Sequence, residues 1–178
     1  MFNVEIEPGV DLTGVNIQFA DFTGANLTGV NLSNVWTTDW KTWTGPPGSW
    51  QPLWNVNFTD ANLTGVNLSD LVVFGNTILT GANLTGANLK DVVLHHVDLT
   101  GTDLTDADLS GVYFNTINLT GANLSGANLK DATIHADLTD ANLTGADLTG
   151  AQLRTNHPYI YFDDLQSGNF PGINLSGA

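Results

Sequence analysis

Large apolar residues recur at every fifth position along most of this chain, and the residues around each of them repeat with the same period. In the longest uninterrupted run the central residues are Phe74, Leu79, Leu84, Leu89, Leu94, Leu99, Leu104, Leu109, Phe114, Leu119, Leu124, Leu129 and Ile134. Two places before each stands Ala, Val or another small or branched residue, one place before it usually Asn or Asp, and after it Thr-Gly or an equivalent pair. Neither the helical period of 3.6 nor the strand period of 2 divides five, so a helix or a flat sheet would scatter these leucines over every face. Both apolar positions face inward together if each unit of five forms one side of a four-sided coil, which then takes twenty residues per turn.

A twenty-residue superperiod supports four sides. The residues two before the centre run Val72, Thr77, Ala82, Ala87, then Val92, Val97, Thr102, Ala107, then Val112, Ile117, Ala122, Ala127. Bulkier residues fill two sides and small ones the other two, an arrangement that fills a narrow interior densely without forcing rotamers.

The motif, as in Ala82-Asn83-Leu84-Thr85-Gly86 followed by Ala87-Asn88-Leu89, closely resembles the pentapeptide repeat family, including its cyanobacterial-type members. The resemblance covers nearly the whole chain. It implies an all-β fold, a right-handed quadrilateral parallel β-helix with the central Leu or Phe and the preceding Ala turned inward. A single solenoid domain over residues 1–178 is expected, with about six to seven coils stacked at the ~4.8 Å inter-strand spacing. Such a rod needs covered ends.

The period breaks in four places. Leu12, Ile17, Phe22, Leu27 and Leu32 open the repeat, which stops over residues 33–52 and resumes at Leu53, Phe58, Leu63 and Leu68. The interruption holds Trp36, Trp40, Trp43 and Trp50 around Gly45-Pro46-Pro47-Gly48, and its aromatic content argues for an ordered insertion. One extra residue separates Leu68 from Phe74 and one is missing between Ile134 and Leu138, both read as bulges at corners. After Leu153 the register is lost from Arg154 through the aromatic run Tyr159 to Phe162, so residues 154–178 are expected to cap the carboxyl end. Pro158, Gly168, Pro171 and Gly172 exclude the amphipathic dimerisation helix expected in the gyrase-binding branch, leaving a monomer or a weak dimer.

Outward positions carry the functional information. With Phe74 taken as central, Val73, Val93 and Tyr113 stack as an exposed apolar stripe, and the Trp-rich insertion enters beside it because Leu53 shares that phase. The stripe is either covered by the insertion or forms with Trp36, Trp40, Trp43 and Trp50 a surface for a protein partner, aromatics being the usual anchors of such contacts. The other outward columns alternate: Asn83, Asp103, Asn123, Asn142; Asn88, Asp108, Asn128, Asp147; Ile78, Asp98, Asn118, Asp137. Alternation keeps like charges from opposing each other in adjacent strands and lets Asn hydrogen-bond along the stack.

Composition narrows the chemistry. The net charge is −14, with 4 Lys plus Arg against 18 Asp plus Glu, so nucleic acid and anionic membrane surfaces are disfavoured as partners. The chain has no cysteine, which removes thiolate metal sites and cysteine nucleophiles. Met1 to Val10 lacks the basic and apolar regions of a signal peptide, and no apolar run approaches the roughly 20 residues of a membrane span, so a soluble protein is expected. No nucleophile motif, phosphate-binding loop or zinc signature occurs. His95 and His135 share a repeat position two coils, or about 10 Å, apart, too far to share an ion with ligand bonds near 2 Å. Asp103, Asp106 and Asp108 read as a solvated face, and Lys90-Asp91 and Lys130-Asp131 as corner ion pairs. No cofactor, metal or catalytic site is expected. The reading is a non-enzymatic structural or protein-interaction solenoid; the alternative, from the acidity and the family resemblance, is a DNA-mimicking binder of gyrase or another DNA-handling protein.

Overall fold

The computed structural model describes residues 9–12, 15, 17, 19–32, 52–53, 55–69, 71–73 and 77–155. Within them the chain winds as a right-handed quadrilateral β-helix built of parallel strands and turns, without a helix. One side forms a continuous six-stranded parallel sheet in chain order: β1 (Pro52–Leu53), β2 (Val72–Val73), β3 (Val93–His95), β4 (Tyr113–Asn118), β5 (Thr133–Asp137) and β6 (Gln152–Thr155). The other three sides stack through single parallel bridges. Asn57, Ile78, Asp98 and Asn118 make one column, Asn62, Asn83, Asp103, Asn123 and Asn142 the next, and Asn67, Asn88, Asp108, Asn128 and Asp147 the last. Downward, the last column continues through Asn31 to Asp11, seven levels in all.

Each unit is held by the same few backbone bonds. The Leu84 N–H donates to Asp103 O at 2.7 Å, Asp103 N–H to Ala82 O at 3.0 Å and Gly86 N–H to Thr105 O at 2.9 Å, all between neighbouring coils. Within the unit, Ala87 N–H closes the corner on Leu84 O at 2.9 Å. The backbone groups that an isolated five-residue turn would leave unpaired are therefore satisfied only by stacking. Corners require a left-handed residue, which explains the repeated Gly, and where Asp replaces Gly it does so at the same φ, 56° at both Asp91 and Asp106.

Those corner aspartates constrain the coil above. A Cβ added at Gly111 or Gly126 would overlap the carboxylate of Asp91 or Asp106, one turn earlier in the chain. Asp131 lies over Gly150 in the same way, so Asp91 and Asp131 aim along the rod axis. The expected Lys130–Asp131 pairing is corrected accordingly: the Lys130 ammonium reaches Asp147 Oδ2 at 3.1 Å, across coils.

The interior is apolar. Phe58, Phe114, Leu84, Leu104 and Leu119 are fully enclosed, with Ala82, Ala87, Ala107 and Ala127 filling the narrow positions. Among the described residues two buried polar side chains interrupt it, each with a partner: Thr77 Oγ1 donates to Leu53 O at 3.1 Å and Thr102 Oγ1 to Leu79 O at 3.0 Å.

The structure moves two of the expected breaks. Val73 is 4 % exposed and stacks between Leu53 and Leu94, so it takes the central place assigned from sequence to Phe74. Leu71 accordingly occupies the small inward position in place of Val72, and is buried. The unit of five thus runs unbroken from Leu68 to Val73, and the extra residue falls after it, before Thr77. Val72, Val73 and Phe74 are all apolar and satisfy either phase; the large-on-large column of Leu53, Val73 and Leu94 decides between them. The later slip sits at a corner as expected: Asn115 pairs with His135 and Ile117 with Ala136, leaving Thr116 without a counterpart. Register also persists beyond Leu153, because Arg154 pairs with His135 and Thr155 with Ala136.

Candidate functional site

Three sides of the rod close their polar groups on themselves. From Asp21 onward the outward Asn and Asp of these columns typically accept from the amide two residues on, as in Thr85 N–H to Asn83 Oδ1 at 3.0 Å and Thr105 N–H to Asp103 Oδ1 at 3.1 Å. Many of these threonines add a hydroxyl donor, such as Thr144 Oγ1 to Asn142 Oδ1 at 2.6 Å. Asn amides then bridge coils: Asn123 Nδ2 donates to Asp103 Oδ1 at 3.3 Å, Asn128 Nδ2 to Asp108 Oδ1 at 3.0 Å, Asn142 Nδ2 to Asn123 Oδ1 at 3.0 Å, and Asn88 Nδ2 to Asn67 Oδ1 at 3.0 Å. Every one of these bridges points toward the amino-terminal coil. An Asp cannot donate, so an Asn in the next coil answers its charge, which is the physical content of the Asn/Asp alternation.

The same bonds set the acidity of exposed carboxylates. Asp147 is lowered to about 2 by the Thr149 hydroxyl and backbone amide, with the Lys130 ammonium adding to them. At Asp21 the Thr23 hydroxyl and amide hold the carboxyl below its usual range.

The sheet side differs in kind. Here the register aligns Pro52, Val72, Val93, Tyr113, Thr133 and Gln152, and the outward side chains described among them, Val93, Tyr113, Thr133 and Gln152, include neither Asn nor Asp. Tyr113 is 43 % exposed and Val93 half-buried. Beside them a second column aligns His95, Asn115, His135 and Arg154. Asn115 Nδ2 lies 3.0 Å from His95 Nδ1, and the His95 ring meets the Tyr113 ring with centroids 6.0 Å apart at 60°. Tyr113, His95 and Asn115 thus form one cluster across the two adjoining columns of this side.

Of the residues singled out from sequence, Val93 and Tyr113 occupy this side, whereas Val73 does not. The expectation that Val73 is exposed is corrected: the phase shift described above turns it into the core. Trp36, Trp40, Trp43 and Trp50 lie outside the described residues, as does the expected cap beyond Thr155. The entry point of the insertion is nevertheless on this side, since thirty-six residues separate Asn31 from its partner Asn67, sixteen more than a regular turn, and the chain rejoins the coil at Pro52. The His95, Asn115 and Tyr113 contacts were missed from sequence, although the twenty-residue spacing of His95 and Asn115 was available as a signal. Among the described residues no group of three or more His, Cys, Asp or Glu side chains is placed to hold a metal ion, and no helix is long and apolar enough to cross a membrane.

Two family profiles together span most of the coil: "Pentapeptide repeat region" matches residues 70–136, and "Pentapeptide repeats (8 copies)" matches residues 8–36, 53–72 and 133–155. The chain belongs to the pentapeptide repeat family. No curated protein matches it in sequence. Among solved structures it is similar to HetL of the cyanobacterium Nostoc sp. strain PCC 7120, a pentapeptide repeat protein involved in heterocyst differentiation regulation, with 23 % identity over 85 % of this chain and 88 % of that one, at a TM-score of 0.32. Rfr23 of the cyanobacterium Cyanothece 51142 shares 25 % identity over 95 % and 86 %, with a TM-score of 0.33. QnrB1, a plasmid-mediated fluoroquinolone resistance protein, shares 16 % over 95 % and 85 %, with a TM-score of 0.41.

Proposed function

We propose that this pentapeptide repeat protein is a non-enzymatic interaction solenoid whose partner surface is the sheet side around Val93 and Tyr113, continued by Trp36, Trp40, Trp43 and Trp50 of the adjoining insertion. The observation that carries the reading is the contrast between sides. On the other three sides the outward Asn, Asp and Thr side chains bond to their own rod, with Ile78, 39 % exposed, as an apolar exception, while the sheet side presents Tyr113, 43 % exposed and flanked by Val93. Exposed aromatic side chains on a rigid surface are the usual anchors of protein contacts.

A second reading, mimicry of duplex DNA toward gyrase, draws on the net charge of −14. The alternating ladder weighs against it, because the Asn amides that answer Asp103 and Asp108 interrupt the regular charge spacing a phosphate backbone presents. Affinity capture from the native cell extract tests the first reading, using the intact protein, a Tyr113→Glu variant and a variant lacking Trp36 to Trp50. A partner held by the intact protein and lost from the variants with their coil intact by circular dichroism supports it. Equal retention by all three sinks it. Inhibition of gyrase supercoiling by the purified protein would favour the second reading.

A further inference from the structure

We propose that His95 and Asn115 form a pH-sensitive switch on the Tyr113 surface, in which protonation of His95 reverses the Asn115 side-chain amide and sets a cation beside the Tyr113 ring. The inference rests on the reading of this side as an interaction surface and supplies its regulation. Asn115 Nδ2 can only donate, so His95 Nδ1, 3.0 Å away, is the acceptor and the neutral ring carries its proton on Nε2. The other end of the amide is occupied too: Thr116 Oγ1 donates to Asn115 Oδ1 at 3.2 Å. A protonated His95 has an N–H on both ring nitrogens and would set donor against donor. Turning the amide over removes the conflict. Oδ1 then accepts from His95 Nδ1, while Nδ2 donates to Thr116 Oγ1, a hydroxyl that serves either way. Both arrangements keep two hydrogen bonds, so the charge on His95 chooses between them.

The corner supports the same reading. Thr116 has no counterpart in β5 and sits at a left-handed φ of 58°, a conformation that β-branched residues rarely adopt, where other corners use Gly or Asp. Histidine is the side chain whose charge ordinarily changes between about pH 5 and pH 8. The titratable groups around His95 are the exposed His96 beside it, Tyr113 on β4, His135 on β5 and the Arg154 register position on β6, while β2 contributes none. Asp98 and Asp137 belong to the neighbouring column with Asn118. No carboxylate shares the column of His95, Asn115, His135 and Arg154, so protonation makes it cationic in a chain of net charge −14. The Tyr113 ring, its centroid 6.0 Å from that of His95, lies within reach of cation–π attraction. A partner seated on Tyr113 therefore meets a neutral His95 above its titration and a cationic one, favourable to acidic groups, below it.

Heteronuclear NMR of the full chain, titrated from about pH 8 to about pH 5, tests the switch. The expected result is the Nε2-protonated tautomer of His95 at the alkaline end and an Asn115 side-chain amide whose resonances shift with the midpoint of His95. In His95→Phe, which keeps a ring beside Tyr113, the amide should lose that titration, whereas His135→Gln should leave it in place. Asn115→Asp, which only accepts, should raise the His95 midpoint by at least about 1 pH unit. A neutral ring protonated on Nδ1 overturns the switch, as does an Asn115 amide that ignores pH or still titrates in His95→Phe. Capture from extract at both ends of the range separates the switch from the surface reading. Tyr113-dependent capture that changes at least about fivefold between them, and does not in His95→Phe, supports the regulation. Equal capture at both ends overturns the regulation and leaves the surface reading standing. A titrating amide on a chain whose capture ignores Tyr113 keeps the switch and sinks the surface reading.

Discussion

Replacing Asn123 by Asp tests the account of the ladder directly. Asn123 Nδ2 donates to Asp103 Oδ1 at 3.3 Å and to Thr105 Oγ1 at 2.8 Å, while its Oδ1 accepts from Ser125 N–H and Asn142 Nδ2. The substitution keeps the acceptor side and the shape. It removes the donor and sets a second carboxylate against Asp103. Losing a hydrogen bond to a charged acceptor costs about 1.5–3 kcal/mol. Two unit charges about 4 Å apart repel by about 1 kcal/mol in water and about 4 kcal/mol at the effective dielectric of a protein surface. Relaxation of the exposed edges offsets part of both, and we expect a net loss of about 2–4 kcal/mol at neutral pH. Urea unfolding followed by circular dichroism measures it. The loss should shrink in acid, because a proton placed between the two carboxylates removes their repulsion and restores a donor. Adding Asp103→Asn to the variant restores one charge per pair and should recover most of the loss, a coupling that the double-mutant cycle isolates. A cost below about 0.5 kcal/mol, or one that Asp103→Asn does not reduce, would refute the idea that amide donation between coils offsets the charge.

Three further perturbations follow from the geometry. Gly111→Ala places a Cβ on the Asp91 carboxylate at a left-handed φ of 68°, so it should lower stability by about 1–3 kcal/mol in urea, and Asp91→Gly in the same chain should return the steric part. Val73 is the smallest residue of its central column and borders an apolar void of about 10 Å³ shared with Leu53, Phe58, Leu79 and Leu94, too small to hold water readily. Val73→Ile should raise the thermal midpoint by about 1–3 °C, and a lowered midpoint would mean that the coil cannot give the space a methyl needs. Because the carboxyl of Asp147 is held down at about 2 in the folded protein against 3.8 in the open chain, its stabilising effect is complete above pH ~4 and is lost as the pH falls toward 2. The difference in urea midpoint between the wild type and Asp147→Asn should therefore be constant through neutral pH and close across that acid window.

The sequence by itself determined the architecture. A strict spacing of five with large and small apolar residues alternating admits one economical arrangement, and the coil count, corner glycines and Asn/Asp columns all follow from local chemistry repeated without variation. It also located the corner where Thr116 has no counterpart. What it left open were phases and partners across coils. At Val72-Val73-Phe74 three apolar neighbours satisfy two registers equally, and only stacking on Leu53 and Leu94 turns Val73 inward. Lys130 prefers Asp147 to its neighbour Asp131 because the left-handed corner aims Asp131 at the next coil, a direction set by backbone geometry and invisible in residue order. Tyr113, His95 and Asn115 become a cluster for the same reason: residues about twenty apart meet only once the coil has closed, and what they meet depends on the register of the whole stack.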